Sequence, residues 1–272
     1  MIGPVRFGAL DWFTPVDVSQ PTQAFARLPQ GFDGFRIALL ADLHYGHYVR
    51  ADFVRRVLDL VGSQRVDMLL LCGDMLSNTR RFAGSLGEML ADLAGRVPCY
   101  AVLGNHERFR GTARFRRVLG EAGVELLVNA HRLIRRGLGA EGPAGGPAIA
   151  LAGLDDPFRG RPDFHAALGG IQPGTFTILA AHRPDLADLA PAELRVDLML
   201  CGHTHGGQVR LLRRAMVTQT RNGGYVSGWT PGPNFPMYIS RGLGVVGLPL
   251  RIASEPELPI ITLRRDSAGQ AG

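Results

Sequence analysis

Lysine is absent from the 272 residues: every one of the 30 basic side chains is arginine. A Schiff-base mechanism and a P-loop each need an amine, so both are excluded. Long apolar runs are missing too, and none approaches the roughly 18 residues of a membrane span. Residues 1–20 hold no continuous apolar stretch and no clear cleavage site, so no secretory signal is expected. Cysteine is scarce and odd in number. Cys72, Cys99 and Cys201 sit in or beside apolar runs, which argues against a disulfide framework. The expected location is cytoplasmic, with peripheral contact at the inner membrane as a variant of it.

What is present is a core-forming, basic chain. Hydrophobic residues make up 46% of it, enough to bury a substantial interior. Thirty basic against 24 acidic residues leave a net charge of +6, which favours phosphate esters, nucleic acid or acidic lipid surfaces as partners. Apolar runs at residues 36–40, 68–72, 99–103, 149–152, 176–181 and 198–201 read as strands buried on both faces. Between them, Phe53, Val54, Val57, Leu58 and Val61 follow helical spacing, as do Leu86, Met89, Leu90 and Leu93, and more weakly residues 112–122. Alternating strands and helices predict an α/β fold with a largely parallel sheet. From about Arg210 the pattern predicts a second, more antiparallel sheet. Residues 137–147 read as a Gly/Pro-rich loop and 1–35 as an N-terminal extension, within one domain spanning 1–272.

The chemistry lies where the strands stop. Asp42 and His44, Asp74, Asn105 and His106, His182, and His203 and His205 each follow an apolar run. Ligands of open α/β sheets gather outside the carboxyl ends of the strands. Histidine, carboxylate and amide oxygen without cysteine suit Mn, Fe or Zn better than Ca or Mg. Seven candidate ligands besides His106 exceed what one zinc site takes, so two ions explain the inventory better than one.

The ordered set Asp42-Leu43-His44, Gly73-Asp74, Gly104-Asn105-His106-Glu107, His182 and Gly202-His203-Thr204-His205 resembles the signature of the calcineurin-like metallophosphoesterases, over about residues 36–263. The resemblance implies a four-layer α/β/β/α sandwich with a dinuclear centre between the sheets. Asp42, His44 and His205 would bind one divalent ion (Mn first, Fe or Zn as alternatives), and Asn105, His182 and His203 the other, with Asp74 bridging. A metal-bridging hydroxide would attack phosphorus, and His106 would protonate the leaving oxygen or stabilise the transition state. Ala41 and Ser77 depart from the pattern, and Ser77 leaves open what orients His106.

Residues 181–185, 203–209, 240–244, 248–251 and 256–258 resemble one bacterial subgroup of membrane-associated phosphodiesterases, some similar to UDP-2,3-diacylglucosamine pyrophosphatases of lipid A synthesis. That implies hydrolysis of a phosphodiester or pyrophosphate bond in a small or lipid-linked phosphoester. A nuclease or nucleotide phosphodiesterase using the same centre, or a non-catalytic basic binding module, are the alternatives, and no nucleic-acid motif accompanies the charge. Arg183, Arg241 and His47 are candidate substrate contacts. Arg80, Arg81, Arg108, Arg110, Arg114, Arg116 and Arg117, interleaved with Phe82, Phe109 and Phe115, read either as a solvated helix face or as a basic rim at the site. His131 and His165 have no motif context.

Overall fold

Strands apolar on both faces need cover on both sides, and this chain supplies it by stacking two sheets between helices. The computed structural model describes residues 5–11, 14–77, 80–136, 146–211, 214–215, 220 and 224–266. In chain order, β1 (Val5–Phe7) and β2 (Thr22–Phe25) precede β3 (Phe35–Leu40), α1 (Ala51–Ser63), β4 (Met68–Cys72), α2 (Ala83–Ala94) and β5 (Cys99–Val102). Next come α3 (Asn105–Arg110), α4 (Ala113–Glu121), β6 (Val124–Leu126), β7 (Ala130–Arg135), β8 (Ala148–Gly153), α5 (Phe164–Leu168), β9 (Phe176–Ala180) and β10 (Leu198–Cys201). The short β11 (Arg210–Leu211), β12 (Arg214–Ala215), β13 (Gly228–Pro231), β14 (Pro236–Ile239), β15 (Leu250–Ile252) and β16 (Ile260–Arg265) complete the order.

The first sheet runs β2-β16-β3-β4-β5-β6, and the second β13-β14-β10-β9-β8-β7. In the first, β3 to β6 are parallel and β16 lies antiparallel to β3. In the second, β8, β9, β10 and β14 are parallel, flanked by antiparallel β7 and β13. Residues from 210 onward form separate antiparallel sheets only as two small two-stranded ones, β11 with β12 and β15 with β1, and not as one second large sheet of their own. The others finish both large sheets, because β14 is apolar enough to pair beside the buried β10 and β16 returns to lie against β3. Some of the Gly and Pro residues there lie in the strands themselves, Gly228 and Pro231 in β13 and Pro236 in β14.

Alternate side chains sort the core into layers. Ile37, Leu39, Leu70 and Val102 meet Ile149, Leu151, Ile178 and Leu200 between the sheets. Ala38, Leu40, Leu69 and Leu71 face the buried stripes of α1, α2 and α4. Ala152, Leu179, Met199 and Met237 pack on Phe164, Ala167 and Leu168 of α5. The result is the four-layer α/β/β/α sandwich. The helices bury the stripes that their spacing predicts: Phe53, Val54, Val57, Leu58 and Val61 on α1, and Leu86, Leu90 and Leu93 on α2. Most of the Gly/Pro-rich 137–147 stretch, residues 137–145, lies outside the described residues. No helix among the described residues is long and apolar enough to cross a membrane.

Candidate metal centre

Strands β3, β4 and β5 of the first sheet and β9 and β10 of the second end at one edge, and the loops that leave them carry the site. Asp42, His44, Asp74, His203 and His205 all have positive φ, of 51°, 47°, 54°, 70° and 52°. A non-glycine residue pays about 1–2 kcal/mol for that conformation. Five such residues at one place mark a backbone bent to aim side chains, at a cost the surrounding packing carries. Backbone bonds tie the loops together: Asp42 N–H donates to the Gly73 carbonyl at 3.1 Å, and His44 N–H to the Asp74 carbonyl at 2.9 Å. Gly202 N–H donates to the His182 carbonyl at 3.0 Å in the other sheet.

Each carboxylate is divided between scaffold and site. Asp42 Oδ2 accepts His203 N–H at 2.8 Å, while Oδ1 lies 3.5 Å from His205 Nε2 and 3.9 Å from His182 Nε2. Asp74 Oδ1 accepts His106 N–H at 2.9 Å, while Oδ2 lies 3.2 Å from His182 Nε2, 3.7 Å from His44 Nε2 and 3.9 Å from His106 Nε2. His182 Nδ1 donates to the Cys72 carbonyl at 2.9 Å, which leaves Nε2 for the site. His44 Nε2 and His205 Nε2 are 3.1 Å apart, and His203 Nδ1 and His182 Nε2 are 3.2 Å apart.

These residues fit divalent cations. Asp42 Oδ1 and Asn105 Oδ1 are buried without a hydrogen-bond partner, and a buried lone pair left bare is costly unless something occupies it. Metal–nitrogen bonds of about 2.1 Å bring two imidazole nitrogens on one ion to about 3 Å, the spacing of both nitrogen pairs. Asp42, His44 and His205 converge as one group, and Asp74, His182 and His203 as another; His44, Asp74 and His106 form a third, overlapping one. Glycine is required at the closest approaches. A Cβ on Gly104 would strike the Asp74 carboxylate, and one on Gly202 would lie 2.6 Å from Asp42 Oδ2.

Electrostatics reflect the crowding. Burial pushes Asp42 up to about 7, with Asp74 adding to the shift. Burial pushes His44 down to about 3 and His205 well below the usual histidine value. Burial acts on Asp74 and His182 too, but their mutual attraction outweighs it: Asp74 stays below the usual carboxylate range and His182 rises to about 10. Without an ion, the site holds a His182–Asp74 ion pair.

The sequence candidates separate clearly in space. His106 faces Asp74 and meets the His44 ring edge-on, with centroids 4.6 Å apart. Its backbone N–H bond to Asp74 fixes the main chain there, while its ring Nδ1 is buried with no hydrogen-bond partner among the described residues; Ser77 donates its N–H to the Tyr45 carbonyl. Arg183 Nε lies 3.5 Å from Asp185, Arg241 is held by Asp17 and Glu257, and His47 is exposed beside Phe82. His131 bonds the Ala167 carbonyl and His165 lies on α5, both apart from the cluster. Of the basic rim, Arg114, Arg116 and Arg117 line the exposed side of α4 with Phe115 turned inward, a solvated helix face. The side chains of Arg80 and Arg110 lie outside the described residues.

The motif reading gave no positioning role to three groups that the structure places at the site. Glu107 is buried and accepts N–H bonds from Asp74, Leu76 and Gly104 at 2.9, 3.1 and 3.0 Å, fixing one strand-end loop against the next. Its Gly104-x-x-Glu107 spacing is half of a capping box, the one signal available. Asp155 pairs with Arg108 of α3, Nε to Oδ1 at 2.7 Å. Arg251 is 1% exposed, and its guanidinium donates to the carbonyls of His205, Arg241, Gly242, Gly244 and Ser254 and contacts His205 Nδ1 at 3.3 Å.

Comparison with known proteins agrees with this geometry. Residues 35–207 match the family profile described as calcineurin-like phosphoesterase. The chain is 29% identical over 253 residues to the uncharacterized metallophosphoesterase YkuE of Bacillus subtilis (strain 168), covering 92% of this chain and 86% of that protein. It is 31% identical over 235 residues to the phosphodiesterase YaeI of Escherichia coli (strain K12), covering 84% and 82%. Among solved structures, the NAD nucleotidase of Haemophilus influenzae aligns with a TM-score of 0.48 and 16% identity over 83% of this chain. The chain spans 50% of that nucleotidase. Because the profile match runs through more than half of the chain and takes in every residue of the His/Asp cluster, this protein belongs to the calcineurin-like phosphoesterases, a family of metal-dependent phosphoester hydrolases.

Proposed function

We propose that the protein hydrolyses a phosphodiester or pyrophosphate bond with two divalent ions, Mn first among them. Asp42, His44 and His205 hold one ion, Asn105, His182 and His203 the other, and Asp74 serves both. The observation that carries this reading is the division of Asp42 and Asp74, each anchored through one oxygen by a backbone N–H while the other faces imidazole nitrogens. When bound, such ions supply an activated water and neutralise charge on the phosphoryl oxygens.

The chain's own residues do the remaining work. His106, at the rim of the cluster with its Nε2 3.9 Å from Asp74 Oδ2, donates a proton to the departing oxygen. Glu107 and Arg251 keep the ligand loops in place, and the N–H groups of His106 and His203 stop the two carboxylates from rotating. Arg183, beside His182 and only loosely paired, is the assigned phosphate contact. Arg241, whose guanidinium is committed to Asp17 and Glu257, is assigned to the scaffold.

The test is Mn-dependent hydrolysis of bis(4-nitrophenyl) phosphate, with Asp74→Asn alongside. Losing an outer-shell partner of a metal ligand costs about 10–100-fold, so losing the shared ligand is expected to cost at least about a hundredfold. Turnover that ignores both the metal and the substitution would sink the reading. UMP release from UDP-2,3-diacylglucosamine under the same conditions tests the narrower substrate assignment, a pyrophosphate of lipid A synthesis. Diester turnover without UMP release would keep the chemistry and discard that substrate.

A further inference from the structure

On the helix that carries His106 and the loop tied to it, two phenylalanines are partly exposed. Phe109 is 42% exposed and Phe158 is 40% exposed, with ring centroids 6.1 Å apart and planes tilted by 35°. The Arg159 guanidinium lies over both, 4.9 Å from the Phe109 centroid and 5.6 Å from that of Phe158. Phe109 follows His106 by three positions on α3, so the two side chains share one face of that helix.

The patch is rigidly mounted. Asp155 accepts Arg108 Nε at 2.7 Å, Asp156 N–H at 2.9 Å and Arg161 N–H at 3.1 Å, which ties the 154–161 loop to the helix that carries His106. Asp156 in turn accepts Phe158 N–H at 2.7 Å. Arg159 sits at φ 59°, a conformation the loop imposes, and donates to the Phe109 carbonyl at 3.4 Å. Asp156 is buried and its charge is felt with those of His182, Arg183 and Asp74, so the base of the loop borders the cluster. The neighbouring Arg108 is neutralised by Asp155, whereas Arg159 has no carboxylate partner among the described residues.

We propose that Phe109, Phe158 and Arg159 form the subsite for the group attached to the leaving oxygen, and that this group carries a nucleobase. The proposal rests on the assignment of His106 as the proton donor, because that role puts the departing group next to α3. A base offers a π face to the rings and to the guanidinium together, and arginine strengthens such stacking. An alkyl chain would use the rings and leave the cation idle. A protein partner would need a far larger surface than two rings provide, about 800 Å² a side.

The experiment is calorimetric titration of the Mn-loaded protein with AMP, with ribose 5-phosphate as the same ligand lacking its base, and with hexyl phosphate. In the unmodified protein AMP is expected to bind about tenfold tighter than ribose 5-phosphate, within the range of one stacked base. In Phe109→Leu/Phe158→Leu that ratio falls to about one, and in Arg159→Gln it falls partway. All three residues are exposed, and a retained circular dichroism spectrum checks that the variants fold. Equal binding of AMP and ribose 5-phosphate by the unmodified protein would overturn the proposal, as would a ratio that survives the double substitution. Loss of hexyl phosphate binding instead of the AMP preference would overturn it in favour of an acyl-chain subsite. Failure of the hydrolytic reading shows separately, as absence of Mn-dependent diester turnover.

Discussion

Protons and metal ions compete for the same atoms at this site. Asp42, pushed up to about 7, carries a proton at acid pH, and His182, raised to about 10, carries one through neutrality. Both must give it up to ligate, so Mn affinity is expected to rise with pH. Both the Asp42 and the His182 protons leave as the ions enter at acid pH, and the Asp42 share fades as pH rises through about 7. Mn titrations in buffers of different ionisation enthalpy count these protons, and a count that stays at zero across that range would contradict the assignment. In the ion-free protein the same His182 shift, upward from 6.5, contributes stability that is complete below about 6.5 and lost as pH rises through about 10. Glu107 makes a different prediction. Glu107→Ala strips three N–H groups of a shared buried acceptor, and denaturant unfolding is expected to show a loss of about 3 kcal/mol.

At the scale of elements, the strand ends were legible because β4, β8, β9 and β10 are largely apolar runs followed within two residues by Asp or His, a pattern needing no tertiary knowledge. The same rule found all the cluster residues. It could not find β2, whose alternating exposure lacks an apolar run, nor the late pairing of β16 with β3, which depends on residues more than 200 positions apart. Arg251 lay within the 248–251 stretch, but its bracing role was not legible for a related reason: its partners are carbonyls of distant loops, and no local spacing announces a carbonyl. The turn from β5 into α3 yields its own expectation. Gly104→Ala forces its new methyl against the Asp74 carboxylate while leaving β5 and α3 intact. Mn affinity is expected to fall at least about tenfold, as for lost outer-shell support, with circular dichroism unchanged. A variant that binds Mn normally would show that the Asp74 loop gives way freely.

Taken as a whole, the molecule draws its proposed ligands from two halves. The first sheet contributes Asp42, His44, Asp74 and Asn105; the second contributes His182, His203 and His205. Ions bound there join the sheets, so metal binding acts on global stability and not only on local order. Free Mn at a hundredfold excess over its Kd is expected to stabilise the fold by about 2.7 kcal/mol per site, seen as a rise in Tm that EDTA reverses. A Tm indifferent to both Mn and EDTA would place the ions elsewhere or nowhere. The basic surface is a separate property. Three of its arginines line the exposed face of α4, and that face does not by itself identify a partner.

The placement of β16 has a consequence for how the protein comes into being. This strand lies between β2 and β3, in the interior of the first sheet, and Arg251 just before it braces His205. Every signature residue has been synthesised by position 205, yet the sheet beneath Asp42 has an open side until residues 260–265 arrive. A ribosome-bound chain halted near residue 210 would thus carry the complete signature on an unfinished platform, its β3 edge bare to any passing strand. Such contacts across most of the chain are slow to form. Arrival of β16, not emergence of the motifs, sets the moment at which the sheet beneath Asp42 is closed.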